Sequence, residues 1–329
     1  MQDIILTGVK PTGIPHIGNY FGAIKPSIEM SKNAENSMLF IADYHALNFI
    51  KDPKVLKDLT FEVACMWLAC GLDPNKTTMY VQSDVPEVFE LNWILGNVTP
   101  KGLLNRAHAY KFAVDRNSEN GNDSDYGINM GLFNYPVLMA ADIVLMNATK
   151  VPVGLDQKQH VEITKEIVRV FNNTYGNVLT MPECIINDNV ATLPGLDGRK
   201  MSKSYGNTVE LFASEKELQK KINKIVTNSQ LPGEPKDINC TLFKFYELFA
   251  TAEERKNMIK QFENGIGWGD AKKQVFEVAN RMLKPMREKY EYFKNNPQIV
   301  KNYLEDGANK VRKIAIKTLA KVRKAIGKF

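Results

Sequence analysis

The chain has 329 residues, 44% of them apolar and 24% charged, with a formal net charge of +6. That length suits one large domain with a smaller companion, and the composition excludes a disordered chain, a collagen-like fibre and a coiled-coil rod. No uncharged apolar run approaches the ~18 residues that a membrane span requires. The charge is uneven: residues 1–207 hold 18 basic and 22 acidic side chains, and residues 208–329 hold 25 and 15. A mildly acidic front and a basic back fit a small-molecule site joined to a polyanion-binding part, or simply a solvated basic surface.

The start, Met1-Gln2-Asp3-Ile4-Ile5-Leu6, has an acid and no basic n-region, so it reads as a first strand and not as a signal peptide. A Gly/Pro-rich turn leads into a segment starting near His16, and Met38–Ala42 is a second short apolar run. Asp52 as cap, Pro53 at the first position and Gly71 beyond the end predict a helix from about Pro53 to Cys70. Thr77–Val81 is a third strand candidate, and Val151–Gly154 a fourth, followed by a helical pattern from Asp156 to about Asn172. Between them, Asn117 to Asn129 is almost free of apolar residues and reads as a mobile insertion. Leu193 to Asn207 is a glycine-flanked basic loop, and beyond Val209 the pattern is helical almost throughout. Strands alternating with helices imply an α/β fold, a parallel sheet with helices on both faces and ligands at the carboxyl ends of its strands. Cys65, Cys70, Cys184 and Cys240 show no CxxC pair and no His-interleaved spacing, which predicts reduced thiols, a cytosol-like compartment and no zinc site.

Two motifs carry chemistry. The first turn, Thr7 to Asn19, is neither a Walker A loop nor a GxGxxG fingerprint, but it sets His16-Ile17-Gly18-Asn19 at the mouth of a helix. His16 and Asn19 can donate to phosphate oxygens there, while Gly18 lets a flat base approach the backbone; a structural turn histidine is the alternative. Downstream, Lys200-Met201-Ser202-Lys203-Ser204 places two lysines three residues apart in a loop, mobile charges suited to a pyrophosphate leaving group. Together the pair resembles the HIGH and KMSKS signatures of class I aminoacyl-tRNA synthetases. Gly131–Ile143 looks like the specificity helix of the tryptophanyl-tRNA synthetase family. Val151–His160 and Ala42–Ala46 match further blocks, with Leu155 standing where the family more often has Glu. The resemblance runs collinearly from Ile4 to Asn207 and more loosely to the C-terminus.

It implies a Rossmann-like catalytic domain over 1–207 and a basic helical domain over 208–329 that reads the tRNA anticodon. It implies ATP bound through Lys10, Pro11, Thr12, His16, Gly18, Asn19, Gly154, Asp156, Val190 and Lys200 to Ser204. Mg²⁺ would accompany the phosphates, and Lys200, Lys203, His16, Asn19 and Lys111 would act in catalysis, with a surface lysine as the other reading of Lys111. L-tryptophan would meet Asp142, Met139, Tyr135, Gln157 and His45. The partners implied are tRNA(Trp) and a second copy of the chain, with no membrane, in a cytoplasm or an organellar matrix. Family members with an iron–sulfur cluster hold it with a close CxxC, so none is expected here. A tyrosyl-tRNA synthetase and a non-catalytic amino-acid- or RNA-binding paralogue are the rival readings.

The residues themselves agree. Asp142 lies in an otherwise apolar helix, where an unpaired carboxylate is costly, and an indole N–H can only donate. Tyr135, Met139 and Asp142 recur at helical spacing on one face, so Met139 can pack on an indole while Tyr135 and Gln157 orient the amino acid. Asp156 sits where acids bind ribose hydroxyls. His45 and His160 also fit hydrogen-bonded core histidines. Near the end, Lys310, Lys313, Lys317, Lys321, Lys324 and Lys328 form one stripe, opposed by Val311, Ala315, Val322 and Ile326. The stripe can follow tRNA phosphates, lie on a membrane surface or merely face solvent.

Overall fold

The computed structural model describes residues 3–32, 34, 36–186 and 193–328, with the side chain of Asp156 excepted. Five strands form one parallel sheet in the order β3-β2-β1-β4-β5: β1 Ile4–Val9, β2 Asn36–Ile41, β3 Thr77–Val81, β4 Lys150–Val153 and β5 Glu183–Ile186. β1 runs beside β2 from Ile4↔Asn36 to Val9↔Ile41, and β2 beside β3 from Ser37↔Thr77 to Ile41↔Val81. The order reverses direction at β1, with β2 on one side and β4 on the other, which opens a crevice at the strand ends.

Both faces of the sheet are covered, as a parallel sheet requires. On one face Leu39, Ile41, Met79 and Val81 pack against the helix Pro53–Ala69, whose first turn is capped by Asp52 accepting from Lys54 and Val55. Gly71 then takes φ +101°, the left-handed region that ends a helix cheaply only with glycine. On the other face Leu6, Phe40 and Tyr80 pack against the helices Met130–Leu145 and Lys158–Tyr175.

The helical back part does not stand apart from this core. Phe243, Phe245, Val275 and Ala279 join the first cluster, while Ala308, Val311, Ala315 and Leu319 join the second. The C-terminal helix Pro297–Ala325 lies on the edge strand β3, so closely that a Cβ on Gly307 would sit 1.8 Å from the Met79 carbonyl oxygen. Arg312 pairs with Glu87 at 2.7 Å and Arg323 with Glu90, fixing the same helix to Glu87–Gly96. A boundary at residue 207 therefore separates neither hydrophobic cluster. The six lysines of the stripe all point outward, opposite the buried Val311, Ala315 and Val322.

The Asn117–Asn129 segment is exposed, but it is organised. The helix His108–Glu119 runs into it, and Asn117 Nδ2 donates to the carbonyls of Ser124 and Tyr126 at 2.9 and 2.8 Å. One asparagine thus closes the turn that an apolar residue would otherwise anchor.

Candidate active site

The strand ends of β1, β4 and β5 open into a cleft of about 570 Å³. Gly8 and Val9, Val153 and Gly154, and Ile185 line its floor, and Tyr135, Met139 and Ile143 enter from the helix Met130–Leu145. Gly8 is required here: a Cβ would come within 2.7 Å of the Phe40 ring, which fills the space beneath the cleft.

At one end the polar groups are buried. Asp142 is 4% exposed; His45 Nε2 lies 2.9 Å from its Oδ2, and Gln82 Nε2 lies 2.9 Å from both of its oxygens. Burial pushes the Asp142 carboxyl above its ordinary range, and the His45 and Gln82 hydrogen bonds pull it back toward the ionised form. Sequence reasoning offered Asp142 an indole N–H as its donor; in the fold the carboxylate already has two protein donors. One of them, Gln82, carries no signal in the sequence, since it lies 60 residues away and reaches Asp142 only because β3 ends beside this helix. His45 is 6% exposed and lines the cleft, so it is both a core histidine and a wall of the site. The Tyr135 hydroxyl lies 2.6 Å from Nε2 of the buried His160. Gln157 joins Tyr135 and Met139 on the lining.

At the other end the groups are cationic and exposed. His16 caps the helix that starts at Ile17: its Nδ1 accepts from the Asn19 N–H at 3.3 Å, and Asn19 Oδ1 accepts from the His16 N–H at 3.1 Å. This reciprocal cap consumes His16 Nδ1 and Asn19 Oδ1, so His16 Nε2–H and the Asn19 amide N–H₂ remain as donors. Burial, and then the Lys203 charge, hold the His16 imidazole below its ordinary value, which keeps it neutral at pH 7. A Cβ on Gly18 would meet the His16 ring at 2.8 Å and Met201 Sδ at 3.4 Å, so Gly18 first makes room for these two side chains.

The Lys200–Ser204 loop is held from below. Met201 is buried in the core, and Asn207 Oδ1 accepts from the Ser202 N–H at 2.8 Å while its Nδ2 donates to Asp197 at 2.7 Å and to the Lys200 carbonyl at 3.1 Å. A Cβ on Gly195 would overlap the Asn207 side chain at 2.3 Å, which accounts for that glycine. In the sequence Asn207 does no more than mark the loop's end. Lys203 lines the cleft with Lys10, Thr12, Gly13 and Asn19; Lys200, Ser202 and Ser204 do not, and Lys200 is exposed. Lys111 is exposed on the helix His108–Glu119 and lines neither this cleft nor the adjoining 400 Å³ cavity of Asn48, Phe49, His108 and Phe112. Val190 and the Asp156 side chain fall outside the described residues. Among the described residues no three His, Cys, Asp or Glu side chains converge to hold a metal ion.

Residues 2–284 match the family described as tRNA synthetases class I (W and Y). The chain belongs to this family. It is 50% identical over 326 residues to the tryptophan–tRNA ligase of Neisseria meningitidis serogroup A, covering 98% of this chain and 97% of the relative. It is 51% identical over 332 residues to that of Pseudomonas putida, covering 99% of this chain and 74% of the relative. Among solved structures it resembles tryptophanyl-tRNA synthetase from Campylobacter jejuni complexed with ADP and tryptophan. That match has a TM-score of 0.88 and 44% identity, over 98% of this chain and 99% of that one. Of the candidate tryptophan contacts, Tyr135, Met139, Gln157 and His45 thus line the synthetase cleft, while Asp142 is not on its lining but is hydrogen-bonded to His45, which is.

Proposed function

We propose that the chain is a tryptophan–tRNA ligase that works in two steps. The tryptophan carboxylate attacks the α-phosphorus of ATP, the bond to the leaving oxygen breaks, and pyrophosphate departs. A ribose hydroxyl at the tRNA 3′ end then attacks the adenylate carbonyl carbon and expels AMP. The observation that carries this reading is the cleft whose lining brings Tyr135, Met139, His45 and Gln157 together with Lys10, Asn19 and Lys203.

Asp142 accepts the indole N–H, Met139 packs on the ring, and Tyr135 with Gln157 orients the ammonium and carboxylate. Neutral His16 donates through Nε2 and Asn19 through its amide to phosphate oxygens. Lys203, with Lys200 and Lys111 brought in when the cleft closes, meets the charge that grows on the leaving pyrophosphate. Mg²⁺ enters on the triphosphate as part of the substrate, since the rim offers cations suited to phosphate oxygens. No covalent enzyme intermediate is needed, because positioning and charge stabilisation suffice. The basic stripe of the C-terminal helix follows tRNA phosphates, and a second copy of the chain is the expected partner in the cytoplasm.

Pyrophosphate exchange into ATP, measured with each amino acid in turn, tests the first step. Exchange should depend on tryptophan; exchange that depends on tyrosine, or none with any amino acid, would overturn the reading.

A further inference from the structure

β3 ends at Val81 and passes at once into the short turn Gln82–Asp84. Gln82 is 1% exposed, yet only half of its amide is satisfied: Nε2 reaches both Asp142 oxygens at 2.9 Å, while Oε1 is buried without a hydrogen-bond partner. Leaving a buried acceptor unpaired is unfavourable, so the placement of this side chain is explained by what its other end does.

The carboxylate of Asp142 is a terminal group whose plane rotates easily. His45 donates to Oδ2 alone and would leave that plane free. Gln82, arriving from a different element, bridges the two oxygens and removes the freedom. Its own turn is anchored, because the Ser83 N–H donates to Asp43 Oδ1 at 3.1 Å. A carboxylate can accept about four hydrogen bonds. Of the donors described, Oδ2 takes two and Oδ1 only the Gln82 amide, so Oδ1 keeps room for a donor from the ligand.

We propose that Gln82 is the positioning residue for amino-acid selection, fixing the Asp142 carboxylate so that Oδ1 is presented to a ring N–H. This rests on the assignment of Asp142 as the indole acceptor. Neither Gln82 nor Asp142 is on the cleft lining; Gln82 acts through Asp142, which is hydrogen-bonded to His45 on that lining.

The test compares tryptophan with β-(3-benzothienyl)alanine, which has sulfur in place of the ring N–H and nearly the same shape. Pyrophosphate exchange gives kcat/KM for both amino acids and KM for ATP, in the parent protein and in Gln82→Met. Met is a close apolar match that lacks the donor, and an unchanged ATP KM reports an intact site. Loss of one buried hydrogen bond to a charged group should lower the preference for tryptophan about tenfold. If both amino acids lose activity equally and their ratio is unchanged, Gln82 is only a packing residue and the proposal falls. A parent protein that does not prefer tryptophan over the analogue would instead sink the Asp142 assignment, and this proposal with it.

Discussion

The two ends of the cleft solve different problems with different materials. Around Tyr135 and Met139 the polar groups are tied to one another: buried Asp142 to His45 and Gln82, and half-buried Tyr135 to His160. Toward Asn19, by contrast, Lys203 and Lys200 are exposed on a loop whose backbone Asn207 holds at the Lys200 carbonyl and the Ser202 N–H. A neutral indole is distinguished from a benzene ring by one donor, so its site must be rigid and dry. A pyrophosphate gains charge during the reaction, so its partners can be mobile point charges that arrive late. On the proposed mechanism, selection is built into the core and rate into the rim.

The largest expected effect lies at the buried end. Asp142→Asn keeps the shape but sets an amide N–H₂ among the donors of His45 and Gln82. A site built around a ring donor rejects an analogue lacking it by about 10⁴–10⁵, whereas apolar shape alone gives roughly 10–200. The kcat/KM ratio of tryptophan to phenylalanine should therefore fall toward the lower range. A variant that keeps full discrimination makes Asp142 structural.

At the rim the loss is in rate. Lys203→Ala removes an interaction made mainly as charge develops, and one such donor contributes on the order of 2–4 kcal/mol to the barrier. Adenylation should slow accordingly while the KM for ATP changes little. A rise in KM with no change in kcat would place Lys203 in ground-state binding instead.

The C-terminal helix sharpens the contrast, since its outward stripe and inward face are separable. Changing Lys313, Lys317, Lys321 and Lys324 together to Gln leaves Val311, Ala315 and Val322 in place. Pyrophosphate exchange should remain near normal, the KM for tRNA should rise, and the log–log salt slope should become shallower by roughly 0.7–0.9 for each phosphate no longer neutralised. Loss of exchange would show that the helix acts on the catalytic core through β3.

The smallest effect is at His16. Its imidazole is held below the ordinary value of 6.5 by burial and then by Lys203. The unfolded chain takes up that proton first as pH falls, so the stability linked to neutral His16 is complete above 6.5 and is lost as pH drops below it. In Lys203→Ala the His16 ring signals, followed by NMR, should titrate at a slightly higher pH; an unmoved titration would place Lys203 away from His16.

Much of this was legible in the sequence because it is local. Four strands, the Asp52-capped helix, the His16–Asn19 turn and the Lys200–Ser204 loop each announce themselves within a few residues. What escaped was convergence. Gln82 gives no signal of its own at the end of β3, and Asn207 reads as a loop terminus until Gly195 is seen to make room for it. β5, the four residues Glu183–Ile186, is not read as a strand in the sequence, although β4 is equally short. The return of the C-terminal helix to the sheet is closest at Gly307, whose approach to Met79 exists only in three dimensions.

The separation of selection from rate can be measured directly by single-turnover adenylation of tryptophan and of β-(3-benzothienyl)alanine in Lys203→Ala and Asp142→Asn. The two-ended cleft requires Lys203→Ala to slow both amino acids by the same factor and leave their ratio at the parent value, while Asp142→Asn collapses the ratio. A Lys203→Ala protein whose preference for tryptophan falls with its rate would contradict that separation.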